Sequence, residues 1–143
     1  DAVAARMSDL APRAARAGVA IEVLPPGQAG RHAPHAAVLC DVPCSGSGTW
    51  RRDPEAKWRL TPGRLREFRV TQAAILDAAA PLVAPGGLLV YMTCSLLAAE
   101  NEAQVEGLLA RRPGWCLEAT RIDTPLTASD GFFTAILRAP ARP

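Results

Sequence analysis

The most constraining feature of this sequence is a pattern met twice, in which a short and almost wholly apolar run closes at once in a polar turn. Residues 36–42 form the first run and residues 88–92 the second. Runs this short and this apolar are typical of strands buried on both faces, as parallel strands are. Between them, residues 64–83 put Leu65, Phe68, Ile75, Ala79 and Leu82 on one helical face, and Pro85-Gly86-Gly87 breaks that helix. Upstream, residues 4–17 read as a helix with Met7, Leu10 and Ala14 at helical spacing and Gly18 as its stop. Residues 19–24 follow as a short β-branched strand ended by Pro25-Pro26-Gly27. Downstream, residues 98–111 form a helix stopped by Pro113-Gly114, and residues 115–120 and 132–139 are the last strands. No room is left between those two for a crossover helix, so they pair antiparallel. Strand and helix alternate throughout, which predicts an α/β fold with a mostly parallel sheet.

A length of 143 residues, 49% of them apolar, suits a single domain with its own core. The chain has no run of about 20 apolar residues, and Asp1-Ala2-Val3-Ala4 is not a secretory leader. A soluble, cytoplasmic protein is expected, with the four cysteines reduced. The first residue is not methionine, which suggests a chain cut from something longer. The net charge of +2 is unremarkable, but its distribution is not. Between Trp50 and Val70 lie Arg51, Arg52, Lys57, Arg59, Arg64, Arg66 and Arg69 against Asp53, Glu55 and Glu67, a local charge of +4. Such an excess suits a polyanionic partner, and it equally suits a solvated helix face.

In an open α/β sheet, ligands sit beyond the carboxyl ends of the strands. Asp41 closes one such strand with Cys44 three residues on; Tyr91 nears the end of the other with Cys94 three residues on. Neighbouring strands would bring two thiols and a carboxylate to one crevice. The helix beginning near Glu100, Asn101 and Glu102 would lower the pKa of Cys94 through its positive end, with the glutamates partly opposing. Cys40 and Cys116 read as small core residues. His32, His35, Cys40 and Cys44 lack the paired short intervals of a structural zinc site, so no metal is expected. Ser45-Gly46-Ser47-Gly48 has no following Gly-Lys-Ser/Thr and is a flexible turn beside a substrate rather than a nucleotide loop.

These residues resemble a known family. Asp41-Val42-Pro43-Cys44-Ser45-Gly46-Ser47-Gly48 is similar to its Asp-Ala-Pro-Cys-Ser-Gly-x-Gly pattern, and Arg52, Pro54, Lys57 and Trp58 to its Arg-x-Pro-x-x-Lys-Trp segment. Gln72, Ile75 and Leu76, then Pro85-Gly86-Gly87, Tyr91, Thr93-Cys94-Ser95, Glu100-Asn101-Glu102 and Asp130-Gly131-Phe132-Phe133 with Ala135 continue the match in order. The chain from Asp41 onward resembles the Sun/Fmu (RsmB-like) family of S-adenosylmethionine-dependent RNA cytosine methyltransferases. The resemblance implies a Rossmann-like methyltransferase sheet, mostly parallel with an antiparallel final strand, and residues 1–143 as an incomplete catalytic domain.

It also implies roles. Cys94 would be the nucleophile at carbon 6 of cytosine, and Cys44 would help release the product. Asp41, Asp1 and Pro43 would bind S-adenosylmethionine, with Asp1 as the acid at the end of the second strand. Arg52, Lys57, Ser45 and Gly46 would meet the RNA, ribosomal RNA first and transfer RNA second. The protein would act as a monomer without metal or membrane. The family's first strand and glycine-rich cofactor loop are lacking, and Pro25-Pro26-Gly27 stands where an acidic residue is expected. The chain by itself should therefore be nearly inactive. Two alternatives stay open: a DNA cytosine methyltransferase, which would use Cys44 as nucleophile, and a noncatalytic or degenerate RNA-binding relative.

Overall fold

The computed structural model describes residues 4–25, 27–127 and 130–141. The chain divides into two compact units, Asp1–His32 and Ala33–Pro143. In the first, a 3-10 turn at Ala4–Met7 precedes helix α1, Leu10–Ala17. The single helix expected over residues 4–17 is interrupted at Ser8 and Asp9. Pro12 has no N–H for the carbonyl of Ser8, so the helix has to begin close to it. Gly18 stops α1 as expected, in a left-handed conformation at φ 66°. Residues 19–24 form no strand. A strand needs a neighbour for its backbone groups; no described residue pairs with this run in a sheet, and Val19, Ile21 and Val23 are about half exposed.

The second unit carries strand β1 (His35–Asp41), a short helix α2 (Ala56–Arg59), α3 (Pro62–Ala79), β2 (Val83–Thr93), α4 (Glu102–Arg111), β3 (Cys116–Asp123) and β4 (Phe132–Arg138). The strands lie in the order β1-β2-β4-β3. β1 runs parallel to β2, while β4 is antiparallel to both β2 and β3. Three strands therefore point one way and the last reverses, giving the Rossmann-like arrangement expected.

Side chains alternate across this sheet. Val38, Cys40 and Val42 share a face with Leu89 and Tyr91 of β2 and with Phe133, Ala135 and Leu137 of β4. Leu76 and Ala79 of α3 and Val105 and Leu108 of α4 complete that core. Leu76, Leu89, Leu108 and Leu137 are wholly buried, each contributing about 2 kcal/mol of transfer free energy. β1 is not buried on both faces. Among the described residues it has a neighbour on one side only, and Leu39, pointing away from the core, is 65% exposed.

Helix α3 begins where Thr61 accepts a hydrogen bond from Arg64 N at 3.1 Å and Pro62 occupies the first turn. It ends at Ala79, short of the expected Val83, which already belongs to β2. Its most buried residues are Gln72, Leu76 and Ala79; the apolar periodicity does not include the glutamine. Pro85-Gly86-Gly87 is a bulge inside β2 rather than a boundary. His35 pairs with Val83 but Ala37 with Leu88, and Gly86 takes φ 73°. A Cβ on Gly87 would lie 2.8 Å from the carbonyl oxygen of Ala36, so only glycine lets the two strands approach there. The last helix starts at Glu102 rather than at 98, after a turn. No helix among the described residues is long and apolar enough to cross a membrane.

Candidate active site

The parallel register that pairs Asp41 with Met92 brings the ends of β1 and β2 level, and Val42 N donates to Met92 O at 3.1 Å. The two turns that follow therefore face each other. Cys44 Sγ lies 3.4 Å from Cys94 Sγ, and both thiols are free. The turns are also bonded through backbone: Gly48 N donates to Cys94 O at 2.9 Å, and Gly131 N donates to Gly48 O at 2.8 Å. A Cβ on Gly48 would stand 2.1 Å from the carbonyl oxygen of Gly131. The small-residue turn is thus a close backbone crossing, not merely a flexible loop.

Behind the sulfurs lies a buried polar layer. Glu100, wholly buried, accepts from Ser45 N at 2.9 Å, from Ser45 Oγ at 2.5 Å, from Ser95 Oγ at 2.6 Å and from Gln72 Nε2 at 3.1 Å. Gln72 Nε2 also donates to Pro43 O at 3.0 Å. Tyr91 Oη donates to Glu100 O at 2.6 Å, Thr93 Oγ1 to Asn101 Oδ1 at 2.8 Å, and Asn101 Nδ2 to Ser95 O at 2.9 Å. Glu100 and Asn101, expected as polar residues in a helix's first turn, precede α4 and are buried instead. The sequence reading gave no such role to Glu100, Ser95, Gln72 or Tyr91. The available signal was the dipeptide Cys-Ser occurring at both 44–45 and 94–95.

The pair shares its charge unequally. Cys94 is lowered to about 7, first by the hydrogen bond from Cys44 and against desolvation, Asp41 and Glu100. Cys44 is pushed well above the ordinary cysteine range by the same hydrogen bond, by burial and by the charge on Cys94. Cys94 lines a cavity that Cys44 does not reach, so its thiolate is the better solvated of the two. The cause differs from the expected helix terminus: α4 begins eight residues later, and the neighbouring thiol dominates. Cys40 behaves as the core residue expected, raised to about 11 by burial. Cys116 does not: it sits exposed on the edge strand β3.

The cavity beside Cys94 has a volume of about 550 Å³ and is lined by Asp41, Thr49, Arg52, Met92 and Cys94 together with Asp123, Phe132, Phe133 and Thr134. Of the residues expected to bind cofactor, Asp41 lines it. Pro43 does not, and its carbonyl is held by Gln72; Asp1 lies outside the described residues. Of those expected to meet the substrate, Arg52 lines the cavity and pairs with buried Asp130 at 2.6 Å. Ser45 and Gly46 lie in the Cys44 turn, with the Ser45 hydroxyl directed to Glu100 and Gly46 at φ 67°. Lys57 is apart from the cavity, exposed on α2 with its Nζ 5.2 Å from the centre of the exposed Trp58 ring.

Residues 5–140 match the family described as 16S rRNA methyltransferase RsmB/F. A probable ribosomal RNA small subunit methyltransferase B of Synechocystis sp. is 48% identical over 87 residues, which are 61% of this chain and 20% of that protein. Ribosomal RNA small subunit methyltransferase B of Cronobacter sakazakii is 41% identical over 108 residues, 70% of this chain and 25% of that protein. The chain thus spans about a fifth to a quarter of the curated relatives it matches. Among solved structures, PH0851 superposes with a TM-score of 0.82 at 34% identity, covering 96% of this chain and 35% of that one. NSun6 from Pyrococcus horikoshii, solved with SFG, gives 0.80 at 25% identity, covering all of this chain and 41% of that one.

Proposed function

The chain belongs to the RsmB/F family of 16S rRNA methyltransferases, and we propose that its protein moves a methyl group from S-adenosylmethionine to carbon 5 of a cytosine in RNA, with 16S ribosomal RNA the first candidate. The observation that carries this reading is the pair of free thiols 3.4 Å apart, one of them opening on a cavity that Asp41 also lines. The relatives' names support ribosomal RNA, and the NSun6 structure with SFG, an analogue of S-adenosylmethionine, supports the cofactor. The cavity's size lies in the range that holds small-molecule ligands, and an acid at a parallel strand's carboxyl end suits a cofactor there. Asp41 would hold part of it; Pro43 and Asp1 are proposed on the family pattern alone. When bound, S-adenosylmethionine supplies an electrophilic methyl group.

The chain's own residues would do the rest. The target base is unstacked to reach the crevice. Cys94, near half ionised at pH 7, adds to carbon 6. The electron pair of the 5,6 double bond moves to carbon 5, which takes the methyl group. Bond formation consumes the negative charge on Cys94, and with it the repulsion and the hydrogen bond that kept Cys44 protonated. Cys44 then ionises more readily, its own proton passing to water, and the resulting thiolate removes the proton from carbon 5. The returning electron pair rebuilds the double bond and expels the Cys94 thiolate. One proton shared between two sulfurs thus sets the order of nucleophile and base. Arg52 and Lys57 would face phosphates, and Ser45 and Gly46 would shape the turn against the base. Residues 1–143 contain no glycine-rich cofactor loop, so methyl transfer by them alone is expected near background.

RNA carrying 5-fluorocytosine tests the roles. Fluorine cannot leave as the proton does, so the wild-type protein should be trapped on the RNA in the presence of cofactor. Cys94→Ala should lose the trapped band and Cys44→Ala should keep it. Loss in Cys44→Ala with retention in Cys94→Ala would reverse the assignment.

A further inference from the structure

We propose that Glu100 is a positioning residue: a single buried carboxylate that gathers the two Cys-Ser turns and so holds the Cys44 and Cys94 sulfurs in contact. The inference rests on the reading that these thiols are the reacting groups, and it concerns a residue that touches neither them nor the cavity.

The geometry is convergent. The hydroxyls of Ser45 and Ser95, each following a reactive cysteine, donate to the same oxygen, Glu100 Oε2. The other oxygen takes the Ser45 N–H and Gln72 Nε2, and the same Gln72 nitrogen reaches back to Pro43 O. The peptide around Cys44 is therefore tied on both sides, and the peptide after Cys94 is tied through Ser95. Four hydrogen bonds reach the two carboxyl oxygens, which act as acceptors for both turns. The turn carrying Glu100 is fixed in its own right, by Tyr91 Oη on its carbonyl and by Asn101 on Ser95 O.

A wholly buried carboxylate is costly to desolvate even when it is paired. An apolar side chain would fill the same volume at less cost but could not gather donors from both turns. The charge also acts against Cys94, since Glu100 and Asp41 both raise its pKa. Arg52 and Asp123 line the same cavity, and Tyr91 packs behind. Glu100 thus opposes thiolate formation by its charge while promoting it by geometry, and the two effects have opposite signs when the residue is changed.

The full-length protein is alkylated with iodoacetamide across pH 5.5–9.5, and the rate at Cys94 is followed by peptide mass. In the wild type the midpoint should lie at about 7. In Glu100→Gln the thiol contact is expected to loosen and the midpoint to rise by about one to one and a half units toward ordinary cysteine. At pH 7 such a rise leaves roughly five- to fifteen-fold less thiolate. If Glu100 acts through charge alone the midpoint falls below 7, and if it is filler the midpoint stays; either result overturns the proposal. Should Glu100→Gln fail to fold, Ser45→Ala and Ser95→Ala each remove one tie while leaving the carboxylate, and an unmoved midpoint in both would count against the proposal equally. Alkylation needs no RNA or cofactor, so an absence of methyl transfer would discredit the functional reading without touching this result.

Discussion

Replacing Gly48 by alanine places one methyl group where two backbones cross. The new Cβ would meet the carbonyl oxygen of Gly131 at 2.1 Å, its carbon at 2.6 Å and its Cα at 2.7 Å. All three are backbone atoms, so no rotamer change relieves the overlap. Restoring ordinary contact takes a displacement of about 1 Å or more. The hydrogen bonds from Gly131 N to Gly48 O and from Gly48 N to Cys94 O, at 2.8 and 2.9 Å, span the same crossing and would stretch or break. Overpacking strain costs about 1–3 kcal/mol, and each lost hydrogen bond about 1 kcal/mol. A destabilisation of roughly 3–5 kcal/mol is expected, a large share of the ~5–15 kcal/mol that holds a typical protein folded. Urea titration by circular dichroism measures it directly, as a lower midpoint with an unchanged slope. Because Cys94 O is one of the lost partners, Cys94 alkylation at pH 7 should slow as well. A variant whose midpoint stays within about 0.5 kcal/mol of wild type would refute the claim that this turn is a steric crossing.

Tyr91→Phe removes the hydroxyl that satisfies Glu100 O at 2.6 Å and leaves a buried carbonyl unpaired; a loss of about 1–3 kcal/mol is expected in the same titration. Cys44→Ala removes the donor that lowers the pKa of Cys94. The Cys94 alkylation midpoint should then rise from about 7 toward the ordinary cysteine range, so that reactivity is gained only at higher pH. A midpoint that stays at 7 would mean that the neighbouring thiol is not the cause.

The features that could be read from the sequence are those that repeat locally. The apolar runs of β1 and β2, the strand pair β3 and β4 and the stop at Gly18 follow from periodicity and turn chemistry acting over a few residues. Cys44 and Cys94 could be placed at one crevice because parallel strands bring equivalent ends together. The strand expected at residues 19–24 did not form, because a strand is a property of a pair and composition describes only one member. Pro85-Gly86-Gly87 forms a bulge where the sequence predicts a helix break, for a related reason: the same residues that end a helix also permit a bulge, and the choice is made by Ala36 on another strand. Gln72 and Glu100 were the hardest to place. By residue type both belong on a surface, and their burial is made tolerable by partners distant in sequence, Ser45 for Glu100 and both Pro43 O and Glu100 for Gln72.

The basic segment shows the same limit in its charges. Its sum of +4 already subtracts Asp53, Glu55 and Glu67, which the fold pairs with Arg59 and Arg64. Arg52, counted toward the same excess, is paired with Asp130 from beyond the segment. That pairing holds the segment's first turn beside the cavity while the Arg52 side chain stays largely exposed. Lys57 is different: its exposed ammonium lies against an indole that is 80% exposed, a combination suited to a phosphate and an unstacked base. Asp130 thus offsets one charge of the segment's excess and ties Arg52 to the wall of the cavity that Cys94 also lines.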